Sequence, residues 1–148
     1  MRILILLLLV TAVFFANTGV AQAPSVYKPI GSMSALMIDI IYPTSNSIFY
    51  IEREPPKTEV QWNAIRGQAL TLAESGNLLM MPSRARDQGD WMKDAKLLVD
   101  VGAKAYEAAD AKDLQAIVAL NDELNTACIE CHQNYRSNYR RRTPAKKE

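Results

Sequence analysis

Two cysteines and the chain's single histidine stand together as Cys128-Ile129-Glu130-Cys131-His132, the Cys-x-x-Cys-His spacing of covalent c-type haem attachment. On an α-helix advancing about 100° per residue, the cysteines lie about 60° apart and His132 about 40° from Cys128 on the other side. All three then face one way. Two thioethers can hold a porphyrin edge-on while the imidazole reaches the iron, with Ile129 and Glu130 outside the cluster. The spacing predicts one haem c, attached through Cys128 and Cys131 and ligated on its proximal side by His132. Two other chemistries use such a cysteine pair. Zinc requires four ligands, and the chain has no second cysteine pair and no other histidine. A thioredoxin-like dithiol is expected near a βαβ pattern, whereas the residues before Cys128 read as a long amphipathic helix.

The ends of the chain agree with haem attachment outside the cytoplasm. Met1-Arg2 precedes an apolar run from Ile3 to Val10, followed by small residues up to Ala21, the pattern of a secretory signal peptide. Cleavage after Ala21 is preferred, because cutting after Ala23 would put Pro24, with its fixed φ and missing N–H, just past the scissile bond. The apolar stretch is short for a membrane span. Residues 1–21 are thus expected to be a leader for export to the periplasm, 22–135 one domain, and 136–148 a tail. That tail holds Arg136, Arg140, Arg141, Arg142, Lys146 and Lys147 against Glu148, which leaves residues 22–135 acidic.

The elements that must position the haem residues all read as helices, so the expected class is all-α. From near Gly31, Met33, Leu36, Met37, Ile40 and Ile41 recur at the spacing of one apolar face. Pro43 interrupts that face and predicts a kink before Ile48, Phe49 and Ile51. Pro55-Pro56 ends the element. Thr58-Glu59-Val60-Gln61 is a capping-box pattern opening a second helix through Trp62, Ile65, Ala69 and Leu72, with Gly76 either a stop or a close contact. Asp90 is the expected cap of a third helix carrying Trp91, Ala95, Leu98, Val99, Gly102, Ala105 and Tyr106, fraying near Ala109 to Lys112. A fourth follows Asp113 and continues past the haem motif. Leu114, Ile117, Leu124 and Tyr135 lie within about 40° of Cys128 on its wheel, so its core stripe leads into the haem. Four helices with short connections predict an antiparallel four-helix bundle, with cofactor space between facing helices.

With the motif on the last of four helices, Cys128-Ile129-Glu130-Cys131-His132-Gln133-Asn134-Tyr135-Arg136 resembles the class II cytochrome c family, the cytochrome c′ and c-556 group. The resemblance covers most of the chain after residue 21 in architecture; in residue detail it covers the terminal motif and a methionine on the first helix. In low-spin members of that family a methionine on the first helix is the sixth iron ligand, and Leu36-Met37-Ile38-Asp39 resembles the place where that methionine occurs. Met37 is the candidate and Met33, one turn earlier on the same face, its rival. A Met/His pair would raise the reduction potential. Arg136 matches the arginine that follows the family motif, implying a role on a propionate or in tuning the proximal imidazole. Antiparallel homodimers are common in the family.

Two functions are open at this point. A periplasmic carrier of single electrons, docking redox partner proteins by salt-sensitive attraction, requires both axial positions filled. A five-coordinate cytochrome c′-like protein would bind nitric oxide or carbon monoxide at a distal face covered by Leu36, Ile40 or Ile41. Trp62, Trp91 and Tyr135 read as packing groups. No catalytic triad, phosphate loop or nucleic-acid fold is legible, and no membrane span is expected once the leader is removed.

Overall fold

The structure, a computed structural model, describes residues 27–136. The expected leader and the tail beyond Arg136 lie outside the described residues. Those described form four helices and no strand.

The first helix, α1 (residues 33–49), is wound in three ways: an α-helical turn Met33–Ala35, a π-helical stretch Leu36–Ile41, and an α-helix Tyr42–Phe49. Ser32 opens it, its side chain accepting from the Ala35 amide at 3.1 Å. The kink expected at Pro43 is replaced by the π-helical stretch, in which the Tyr42 N–H reaches back to Met37 O. A proline ring crowds the carbonyl four residues earlier and offers no N–H, so widening the preceding turns keeps the helix running through it. Local hydroxyls assist: Thr44 Oγ1 donates to Ile40 O at 2.7 Å and Ser45 Oγ to Tyr42 O at 3.0 Å.

α2 (Glu59–Leu79) begins with the anticipated capping box, Gln61 N donating to Thr58 Oγ1 while Gln61 Oε1 accepts from Thr58 N. It runs through Gly76 because that glycine is a close contact with α3 (Asp90–Asp110). A Cβ at Gly76 would lie 2.6 Å from Val99 Cγ2, and one at Gly102 would lie 2.7 Å from Ala73 Cα. The pairings of 76 with 99 and 73 with 102 show that α2 and α3 run antiparallel.

Asp90 is not the cap of α3. It is the first helical residue, and the carboxylate of Asp87 instead accepts from the Gly89 and Trp91 amides at 2.8 and 3.1 Å. The far end of α3 does not fray. Lys112 adopts the left-handed conformation (φ 56°), and the bonds Asp113 N to Ala108 O and Lys112 N to Ala109 O close the helix, a Schellman arrangement in which glycine is the usual residue.

α4 (residues 114–135) is divided into Leu114–Ala119 and Asn121–Tyr135. Asp113 caps it, its side chain accepting from Ala116 N at 2.9 Å. The interruption at Leu120 coincides with a tertiary tie, Asn121 Nδ2 to Phe49 O at 3.4 Å. α4 lies antiparallel to α3, as Lys104 with Glu123 and Asp94 with Asn134 show. The core between the four helices contains Ile48, Leu72, Val101, Ile117 and Leu124, all fully buried, each large aliphatic contributing roughly 1.5–3 kcal/mol. No helix among the described residues is long and apolar enough to cross a membrane.

Candidate functional site

Cys128, Cys131 and His132 occupy the last turns of α4, each half-buried and the two thiols unpaired. α4 begins at its cap Asp113 and is held at its other end by Tyr135, which donates to the Asp87 carboxylate. The Tyr135 ring also meets Trp91 edge-on, with centroids 4.9 Å apart. Trp91 is in turn fixed by its Nε1–H on Leu79 O at 2.8 Å. The packing role expected for Trp91 and Tyr135 is thus visible as a clamp that joins the end of α4 to the connection before α3.

All three motif residues line one cavity of about 40 Å³. Its apolar walls are Ile41, Leu79, Ala95, Leu98 and Ala127, contributed by all four helices. Met37 enters it from α1 and Asp94 from α3. Of the two methionines weighed from the sequence, Met37 lines this cavity; Met33 packs half-buried against the core outside its lining. Arg136 caps α4, and its charge acts on His132.

Asp94 escaped the sequence reading. It is 5% exposed and accepts a long hydrogen bond from Asn134 Nδ2, 3.4 Å from its Oδ2. Its signal was present in the pattern, since an acid one turn after Trp91 and four residues before Leu98 sits on the buried stripe of α3.

The electrostatics restrict what these side chains can do. Burial raises the Cys128 thiol, while burial, then Asp94 and then Cys128, push Cys131 up to about 11. Reactive dithiols have the opposite property, a lowered pKa, so the pair is poorly suited to thiolate exchange. Burial, followed by Arg136, lowers the basicity of His132 and favours the neutral imidazole that ligates metals. Among the described residues no three His, Cys, Asp or Glu side chains gather as a metal-holding group.

A larger hollow, about 510 Å³, lies at the opposite end of the bundle against Arg53, Pro55, Lys57, Gln61 and Ile65. It gathers no thiol, thioether or imidazole, so the smaller cavity is the chemically relevant one. The donor set there suits a haem: two thiols and a neutral imidazole on one helix face, a thioether from another helix, and aliphatic walls. Its volume falls below the roughly 300 Å³ at which small-molecule pockets begin, so a macrocycle is accommodated only with the surrounding helices further apart. Comparison with protein-family models, with curated proteins and with solved structures gave no match to this chain.

Proposed function

We propose that the protein is a c-type cytochrome of the periplasm that carries single electrons between redox partner proteins. The observation that carries this reading is the convergence of Met37 on α1 with Cys128, Cys131 and His132 on α4 at one aliphatic cavity. Those residues are 91 or more positions apart in the chain, from Met37 to Cys128, and the motif alone says nothing about which distant side chain meets it. The resemblance to the class II cytochrome c family supports the same reading.

In this role Cys128 and Cys131 would hold the haem by thioethers, and the neutral imidazole of His132 and the sulfur of Met37 would be its candidate iron ligands. When bound, the haem supplies a one-electron couple. Ile41, Leu79, Ala95 and Leu98 line the same cavity and would exclude water from the group, limiting solvent reorganisation on a change of charge. The Asp87–Tyr135–Trp91 clamp holds the end of the helix on which three of these groups sit.

The deciding experiment is the visible spectrum of the reduced protein with and without carbon monoxide. A low-spin spectrum with slow or no CO binding is expected. A high-spin resting spectrum with rapid CO binding would replace this reading by the five-coordinate, NO- or CO-binding alternative, with Ile41 beside the distal face.

A further inference from the structure

Asp94 is the one acid on the wall of the cavity, where it stands with Met37, Cys128, Cys131 and His132 among aliphatic side chains. It lies on the buried stripe of α3, beside Ala95 and one turn from Trp91 and Leu98. Its side chain makes one hydrogen bond among the described residues, the long one from Asn134 Nδ2 at 3.4 Å, beyond the roughly 2.7–3.2 Å of an ordinary N–H donor to oxygen. Asn134 follows His132 by two residues on α4, so this bond ties Asp94 to the turn that carries the imidazole. The ion pairs among the described residues use Asp110, Asp100, Glu123 and Glu59 as their acids, and Asp94 is in none of them.

A carboxylate withdrawn from water loses hydration that one long bond from a neutral amide restores only in part, and a buried charge is tolerated best when paired. The protein's own groups thus leave this negative charge under-compensated on a surface that faces the cavity. A positively charged group seated there is the complement it lacks, and the attraction is strong because the aliphatic wall lowers the local dielectric. An iron porphyrin differs in this respect between its oxidation states: its ferric core carries a net positive charge and its ferrous core none. The carboxylate therefore favours one state over the other, and only such a difference moves an equilibrium.

We infer that Asp94 sets the reduction potential of the haem site, its buried carboxylate stabilising the oxidised form and holding the potential below what the iron ligands alone would give. The inference rests on the haem reading of this cavity. It assigns control of the site to α3, a helix that supplies neither the thioethers nor the candidate ligands, and it opposes the upward effect of the Met37 sulfur. Asp94 thus biases the carrier towards giving up its electron.

The test is a spectroelectrochemical titration near neutral pH of the full-length holoprotein and its Asp94→Asn, Asp94→Glu and Asp90→Asn variants, with haem staining of denatured gels to report attachment. Asp94→Asn keeps the shape and the oxygen that accepts from Asn134 while removing the charge. It should shift the equilibrium about tenfold towards the ferrous form, 59 mV for a one-electron couple, with the ferric and ferrous absorption spectra unchanged. Asp94→Glu keeps the charge and should stay close to the wild type. Asp90→Asn makes the same change of net charge at an exposed position of the same helix. Its smaller shift should fade at high salt, whereas that of Asp94→Asn persists, because buried charges are screened little. An unmoved potential in Asp94→Asn, or equal shifts in Asp94→Asn and Asp94→Glu, overturns the assignment and leaves the haem reading intact. Absence of stain in the wild type overturns both. If Asp94→Asn does not fold, Asp94→Ala carries the same test: its potential should rise, and an unmoved or lowered potential refutes the role of the charge.

Discussion

Met37 and Met33 are one turn apart and chemically identical; what distinguishes them is that only Met37 lines the cavity with His132. Replacing Met37 by leucine keeps the volume and should cost less than about 1.5 kcal/mol of stability, yet it removes the sulfur. Under the proposed function the holoprotein should then gain rapid CO binding and a lower potential, both readable by absorbance, while Met33→Leu changes neither. Tyr135 permits a second prediction. Its hydrogen bond to Asp87, then desolvation and the charges of Asp87, Asp90 and Asp94, push it up to about 12 from 10.0, and the same bond lowers Asp87. A raised group stabilises the fold fully below its unfolded pKa and loses that contribution as pH climbs through the folded value. A lowered acid contributes above its unfolded pKa and loses this as pH falls through the folded one. The stability difference between wild type and Tyr135→Phe, measured by urea denaturation, should therefore be constant near neutrality. It should shrink from about pH 10 to 12 and again below about pH 4. At this scale the Cys-x-x-Cys-His motif was legible because its residues are neighbours in the chain. The contact of Arg84 with Gly31 was not, because the two residues are 53 positions apart in the chain.

At the scale of elements, local chemistry was readable and tertiary compromise was not. The Thr58 capping box and the Asp113 cap each involve residues three apart, so the sequence alone predicts them. Pro43 predicted a disturbance but not its form, since a π-helical stretch depends on whether neighbouring carbonyls find other donors, here Thr44 and Ser45. Nothing in Ala119-Leu120-Asn121 signals the interruption of α4; no proline or glycine is present, and the tie of Asn121 to Phe49 spans 72 residues. The α2–α3 pair gives a prediction with an internal control. Gly102→Ala drives a Cβ into the backbone of Ala73 and should cost about 1–3 kcal/mol. Gly67→Ala in the same bundle meets nothing within 4 Å and should stabilise by about 0.5–1 kcal/mol. Denaturant midpoints separate the two by sign.

For the whole molecule, the all-α class and four-helix count followed from periodicity because every helix presents a continuous apolar stripe to one core. The pairing partners did not, since amphipathic stripes of similar width are interchangeable until glycines such as Gly76 and Gly102 specify a close approach. The small volume of the cavity, about 40 Å³, has a consequence for assembly under the proposed function. A folded haem-free chain should take up added haem slowly, and unfolding followed by refolding in its presence should speed uptake severalfold, followed by absorbance in the Soret region. The two tryptophans lie at opposite ends of the bundle: Trp91, 3% exposed, on the cavity side, and half-buried Trp62 in the first turn of α2. They make the molecule its own optical ruler. Under the proposed function, energy transfer to a porphyrin weakens with separation, so haem loading should darken Trp91 emission more than that of Trp62, and single-tryptophan variants would report from within which end of the bundle is filled.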